Sequence, residues 1–214
     1  MEKKHNLTDI TIIAFEDGYF PPQTKGYGSP YKTVLVATVF SNKEPQFFKA
    51  TLISIDGLDA TEKALKILNR VSPLARERIV ILLGGITFAG FNIIDPVELY
   101  ERSRIPVIVV SKDKPDNDRV RNALVKNFPD WKTRYNIIER FTHKASKLIE
   151  LREYGRLYIR VLGLDEEEAI KIIRETQVTG GKPEPLREAK AIASAIARVY
   201  FKLRKAQEEI KEEK

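Results

Sequence analysis

Acidic side chains stand at the ends of apolar runs in this chain, and that placement sets the chemistry open to it. Glu16 and Asp17 close the run Ile10 to Phe15, and Asp56 and Asp59 follow the run Phe47 to Ile55. Carboxylate oxygens are hard ligands suited to Mg2+ or Mn2+. Two such ions can stabilise both the attacking and the leaving oxygen of a phosphodiester. Each downstream acid also has a structural reading. Asp59-Ala60-Thr61-Glu62 has the form of a helix-start capping box with Asp59 as N-cap, and Asp56-Gly57 that of a turn.

A second cluster lies in Arg78 to Asp95, where the apolar run Ile79 to Leu83 stops at Gly84-Gly85. An unbroken β-branched and leucine run of this length suits a strand buried on both faces. Ligands collect at the carboxyl ends of central parallel strands, so Gly84, Gly85, Thr87, Gly90 and Asn92 are the expected substrate-binding surface. The two glycines allow a tight turn or a close backbone approach to a ligand. The competing reading is a tight strand exit packed beneath a helix.

The elements that must position these groups follow from the hydrophobic period. Ile10 to Phe15, Thr33 to Phe40 and Phe47 to Ile55 read as strands, the last two forming a hairpin across Ser41 to Pro45. From Asp59 onward, Ala60, Ala64, Leu65, Leu68 and Val71 fall at helical spacing. A central strand, a short helix from Pro96 and a parallel strand over Ile105 to Val110 come next. Helices are expected over Asp118 to Phe128 and Trp131 to Leu151, then an extended piece at Leu157 to Leu162, and a helix from Asp165. A long C-terminal helix over about 186–210 ends in a charged, solvated tail. Residues 1–8 are polar and expected to fray. The long loop Asp17 to Tyr31 is rich in Gly, Pro and aromatics, which either stack on bases or pack back on the protein.

An antiparallel meander followed by a βαβ unit leaves few right-handed, neighbour-paired arrangements. The one that puts the first strand in the middle is an α/β, ribonuclease H-like mixed sheet of five strands flanked by helices. With 214 residues, 43% of them apolar, a single domain over 1–214 is expected. The absence of cysteine excludes disulfides, thiolate zinc clusters and a thiol nucleophile. No signal segment or membrane-length apolar run is evident, so a cytoplasmic protein is expected. The net charge of +7 is compatible with a nucleic-acid partner, although both signs are interspersed. Abundant Lys, Glu and Arg with a single Met also fits a heat-adapted protein.

Gly85 to Asp95, Asp56 to Glu62, Pro106 to Val110 and Pro183 to Arg187 together closely resemble an archaeal family catalogued as domain of unknown function 99, a distant relative of endonuclease V. The resemblance covers about residues 8–200. It implies an endonuclease V-like fold and metal-dependent cleavage of nucleic acid near deaminated bases, such as inosine. By position it makes Glu16 or Asp17 the first-strand acid, Asp56 or Asp59 the second, and Lys112 the lysine that ends the equivalent strand. Two departures stand out. Gly84 takes the place of an aspartate that relatives commonly carry, and Lys190 a place often held by His or Asp. Losing one ligand and adding a cation weakens the attraction for a divalent ion, which implies a degenerate nuclease site, weak or inactive. The other classes left open are an active Mg2+-dependent endonuclease, a non-catalytic nucleic-acid binder, and a protein-interaction module using the helix Leu186 to Leu203. Oligomeric state is not legible in the sequence.

Overall fold

The computed structural model describes residues 10–75, 78–153, 155–178 and 181–212. The stretch expected to fray and the last two residues of the tail lie outside the described residues. Three strands open the chain: β1 (Ile10–Asp17), β2 (Lys32–Ser41) and β3 (Glu44–Ser54). Helix α1 (Ala60–Val71) leads to β4 (Arg78–Leu83), and a two-stranded hairpin, β5 (Thr87–Phe88) with β6 (Asn92–Ile93), precedes α2 (Pro96–Ser103) and β7 (Val107–Ser111). Helices α3 (Asn117–Asn127) and α4 (Trp131–Lys144), strands β8 (Ile149–Leu151) and β9 (Leu157–Leu162), and helices α5 (Glu166–Thr176) and α6 (Glu184–Glu212) complete it.

The main sheet runs β3-β2-β1-β4-β7-β9-β8. Its first five strands are the meander and βαβ unit expected from the sequence, with β1, β4 and β7 parallel and β2 antiparallel to β1. The sheet is wider than the expected five strands, because β9 and β8 add an antiparallel pair beyond β7. The helix expected to reach Leu151 ends at Lys144 instead. Ser146 is captured there by β9: its N–H donates to Val161 O at 2.9 Å, and its Oγ accepts from Val161 N at 3.0 Å. Strand pairing therefore takes over apolar residues that helical spacing also accommodates.

Both faces of the sheet are covered at its centre, which is why β1 is buried along all its length except Asp17. Ile13 and Phe15 of β1, with Ile81 and Leu83 of β4, pack towards Ala64 and Leu68 of α1. Ile12, Ala14, Val80 and Leu82 pack on the other face, with Ile172 and Ile173 of α5. Side chains alternate across a strand. Glu16 and Gly84 thus continue the α5 face, and Asp17 and Gly85 the α1 face. One strand end delivers two carboxylates to opposite sides.

Helix α6 closes over β1 and β2 through a stripe of small residues, Ala189, Ala193 and Ala197, against Val34 and Val36. Its first turn is tied down where Thr38 Oγ1 donates to Pro185 O at 2.8 Å. Gly18 makes the close approach possible, since a Cβ there would lie 2.6 Å from Ala193 O and 2.6 Å from Ala197 Cβ. A residue larger than glycine would push α6 off the end of β1. Gly18→Val is accordingly expected to lower stability by about 1–3 kcal/mol, the usual cost of overpacking, in a urea denaturation of the purified protein.

Candidate functional site

Asp17 and Glu16 end β1 beside the double glycine that ends β4; Gly84 N donates to Phe15 O at 3.3 Å. The neighbouring Gly84 leaves the space into which the buried Glu16 carboxylate folds, for a Cβ at Gly84 would collide with Glu16 Oε1. Glu16 Oε1 accepts from Lys182 Nζ at 2.7 Å, and Lys190 Nζ lies 3.9 Å from Glu16 Oε2. Asp17 Oδ1 accepts from Lys190 Nζ at 2.6 Å, and the same ammonium reaches Asp17 O at 3.0 Å. The second oxygen, Asp17 Oδ2, accepts from Ala89 N at 2.6 Å. Two carboxylates and two ammonium groups therefore share the corner, and their charges cancel.

The other two candidate acids lie along the loop that follows β3. Asp56 is buried, with a left-handed φ of 55°, and its carboxylate accepts from Gly26 N and Phe91 N, each at 2.8 Å. Gly90 has a φ of 86°, and a Cβ there would strike Asp56 Oδ1. Asp59 does not cap α1 with its side chain. Its Oδ1 accepts from Ser54 N at 3.0 Å and from Asn92 Nδ2 at 2.7 Å. The cap comes from Asn92, whose Oδ1 accepts from Ala60 N at 3.0 Å, and Glu62 pairs with Arg102 rather than reaching back. Asn92, expected on the substrate surface, is fully buried, and its amide also donates to Ser54 O at 2.7 Å.

A buried arginine fastens these loops together. Arg134 of α4 is 2% exposed, and its guanidinium donates to Asp56 O at 2.9 Å, Gly57 O at 2.9 Å and Phe91 O at 2.6 Å. Its Nε donates to Asp130 Oδ1 at 2.9 Å, and the group lies 4.4 Å from the centre of the Phe128 ring. Sequence reasoning missed both Arg134 and Lys182. Arg134 had a signal, a cation at helical spacing with the buried Ile138 and Phe141. Lys182, in Gly-Gly-Lys-Pro, carries no local pattern.

The remaining candidates occupy the same end of the sheet. Gly85 has a φ of 127° with nothing within 4 Å of where its Cβ would stand, and Thr87 is exposed. Both line a cleft of about 200 Å3, together with Ser111, Asn117, Tyr158 and Arg160. Lys112 is exposed, immediately past the end of β7. The loop aromatics pack on the protein: Tyr19 meets Phe201 edge-on at 6.4 Å, and Arg204 lies 4.6 Å from the Tyr31 ring.

A divalent ion needs several oxygens with free lone pairs. Glu16 and Asp17 are each paired with a lysine ammonium that an ion would have to displace, and Asp56 and Asp59 are turned to backbone and amide N–H groups. Among the described residues no three carboxylate or imidazole groups gather where they could share an ion. As arranged, these residues do not fit a Mg2+ or Mn2+ pair. Burial pushes the Glu16 carboxyl above the usual glutamate range, with Lys182 and Lys190 opposing that shift and Asp17 adding to it.

Sheet order and flanking helices define an α/β fold of the endonuclease V-like, ribonuclease H-like class. The chain belongs to the endonuclease dU family, whose model matches residues 8–197. It is 40% identical over 190 residues to a UPF0215 protein of Thermococcus gammatolerans, covering 88% of this chain and 92% of the relative. A crystal structure of an Archaeoglobus fulgidus protein of unknown function superposes with a TM-score of 0.72 at 30% identity, over 87% of this chain and 97% of that one. Human ENDOV shares the fold, with a TM-score of 0.56 at 13% identity, over 89% of this chain and 85% of that one.

Two stability measurements check this account. Arg134→Met strands three carbonyls and Asp130, so it is expected to cost about 3–5 kcal/mol in chemical denaturation. Because the native Glu16 carboxyl is raised, its stabilising contribution is present below the ordinary glutamate range and is lost as pH rises through the native value. Glu16→Gln is therefore expected to gain stability relative to the parent as pH rises from acid to neutral. Parallel pH profiles for the two proteins would contradict that sign.

Proposed function

We propose that this chain binds nucleic acid at the β1–β4 corner and is an endonuclease V-like protein with a degenerate site, giving weak or no metal-dependent cleavage. The observation that carries the reading is the pairing of Glu16 and Asp17 with Lys182 and Lys190. Bare carboxylates would repel a phosphodiester and attract a divalent ion; paired with ammonium groups, they do neither strongly. Family membership and the net charge of +7 support nucleic acid as the partner. The family's description as endonuclease dU makes DNA containing deoxyuridine the first substrate to test, with inosine beside it.

In this reading Glu16, Asp17, Lys182 and Lys190 form the polar floor of the site. Gly85 and Thr87 lead from it to the neighbouring cleft, where a base can enter. Lys112 supplies a further cation at the rim. Asp56, Asp59, Gly90 and Asn92 hold the loops in place without touching substrate. Among the described residues no helix is long and apolar enough to cross a membrane.

Fluorescence anisotropy with labelled duplexes carrying deoxyuridine, inosine or neither, followed by incubation with Mg2+ or Mn2+, tests the reading. Affinity is expected to fall about tenfold between about 50 and 200 mM salt, the loss for two released counterions, with slow cleavage or none. Absent or salt-insensitive binding would remove the proposal. Rapid Mg2+-dependent cleavage abolished by Asp17→Asn would establish the active-endonuclease alternative in its place.

A further inference from the structure

The corner next to Gly84 has an unusual feature for a carboxylate site: its compensating charge is covalently attached. Glu16 is 3% exposed and would be costly to hold ionised without a partner. Its partner, Lys182, comes from the loop immediately before α6 and is itself mostly covered, with 22% of its side chain exposed. Asp17 is held by Lys190, in the second turn of α6, whose side chain is 48% exposed. The two lysines thus reach the corner from α6 and from the loop that enters it, and the Ala189–Ala193–Ala197 stripe and Gly18 fix that helix against β1.

We propose that Lys182 and Lys190 are resident cations: they take the charge-compensating place of a divalent ion, so a nucleic-acid phosphodiester is held at this corner without metal. The proposal rests on the nucleic-acid reading above and adds how the phosphate is met. A phosphodiester oxygen approaching Asp17 encounters the half-exposed Lys190 side chain, whose ammonium lies against both carboxylates and screens it from them. Lys182 keeps Glu16 neutralised from below. A free Mg2+ or Mn2+ ion would have to displace both ammonium groups, each tethered and therefore at high local concentration. Metal and lysine compete for the same oxygens, and the lysines hold them.

The test compares the full chain with Lys182→Met/Lys190→Met in two measurements. In the first, MnCl2 is titrated into protein without nucleic acid and followed by calorimetry and electron paramagnetic resonance. The parent is expected to take up no stoichiometric Mn2+, and the double variant to acquire one site that a further Glu16→Gln removes. In the second, affinity for a labelled duplex is measured in EDTA and in Mg2+. The parent should bind equally in both, and the double variant should lose about tenfold in EDTA and recover with Mn2+, as expected when the Lys190 phosphate contact is lost and two carboxylates are left without compensating charge.

Stoichiometric Mn2+ uptake by the parent that Glu16→Gln abolishes would overturn the proposal, as would duplex binding by the double variant in EDTA equal to the parent's. If the double variant does not fold, Lys190→Met alone carries both arms, since that side chain is half exposed. Failure of the parent to bind any duplex would sink the nucleic-acid reading. The metal titration would still decide whether the lysines exclude the ion.

Discussion

The site depends first on a single buried guanidinium. Arg134 spans the carbonyls of Asp56, Gly57 and Phe91, which belong to two loops separated by α1 and β4 in the chain. Taking an arginine out of water costs several kcal/mol, and hydrogen bonds from a charged donor return about 1.5–3 kcal/mol each. The net contribution to stability is therefore modest. What the arrangement secures is geometry, because this placement of the loops brings three carbonyls to the buried charge. Asp130 and the Phe128 ring fix the guanidinium from its own side, so the constraint runs from α3 and α4 to the loops at the sheet end.

Once those loops are fixed, the acids fall into two groups with different work. Asp56 and Asp59 are acceptors for backbone and amide N–H groups, and Asp56 holds a left-handed backbone to do so. Aspartate tolerates that conformation better than most residues. Ala89 has no such tolerance, yet its φ is 46°. The strain is offset by both ends of its peptide: Ala89 N donates to Asp17 Oδ2 and Ala89 O accepts from Asp56 N, at 2.6 and 2.8 Å. One strained residue thereby links the structural acid to the acid at the corner. Glu16 and Asp17, in contrast, meet ammonium groups, and charge rather than hydrogen-bond geometry decides their chemistry.

Much of the scaffold was legible because period and length are local properties. Ile79 to Leu83 as a buried strand ending in Gly84-Gly85, the β2–β3 hairpin and the long C-terminal helix all follow from spacing that the fold obeys. Asp165 also caps its helix as its position suggests, accepting from Glu167 N at 2.8 Å. Asp59 did not, because Asn92, far off in sequence, reaches Ala60 N and draws Asp59 towards Ser54. Nothing local distinguishes the two cases. The β8–β9 extension was hidden for a related reason: Phe141, Ala145, Leu148 and Leu151 continue the three- and four-residue spacing of the helix, and only pairing with β9 shows otherwise. Lys182 was invisible because its partner lies 166 residues away.

The two corner acids answer to different parts of the structure, and this bears on how the site behaves as a unit. Asp17 faces the α1 side, where Ala89 and through it the loops held by Arg134 fix one oxygen. Glu16 faces the α5 and α6 side, in the space left by Gly84 and under Lys182. Lys190 touches both acids from α6. A shift of the hairpin alone would disturb Asp17 and leave Glu16 paired; a shift of α6 would withdraw Lys190 from both acids. Since α6 is packed through alanines against Gly18 at close approach, it has little room to slide. The charge state of the corner is therefore set by helix packing on one face of the sheet, and its shape by a buried arginine on the other.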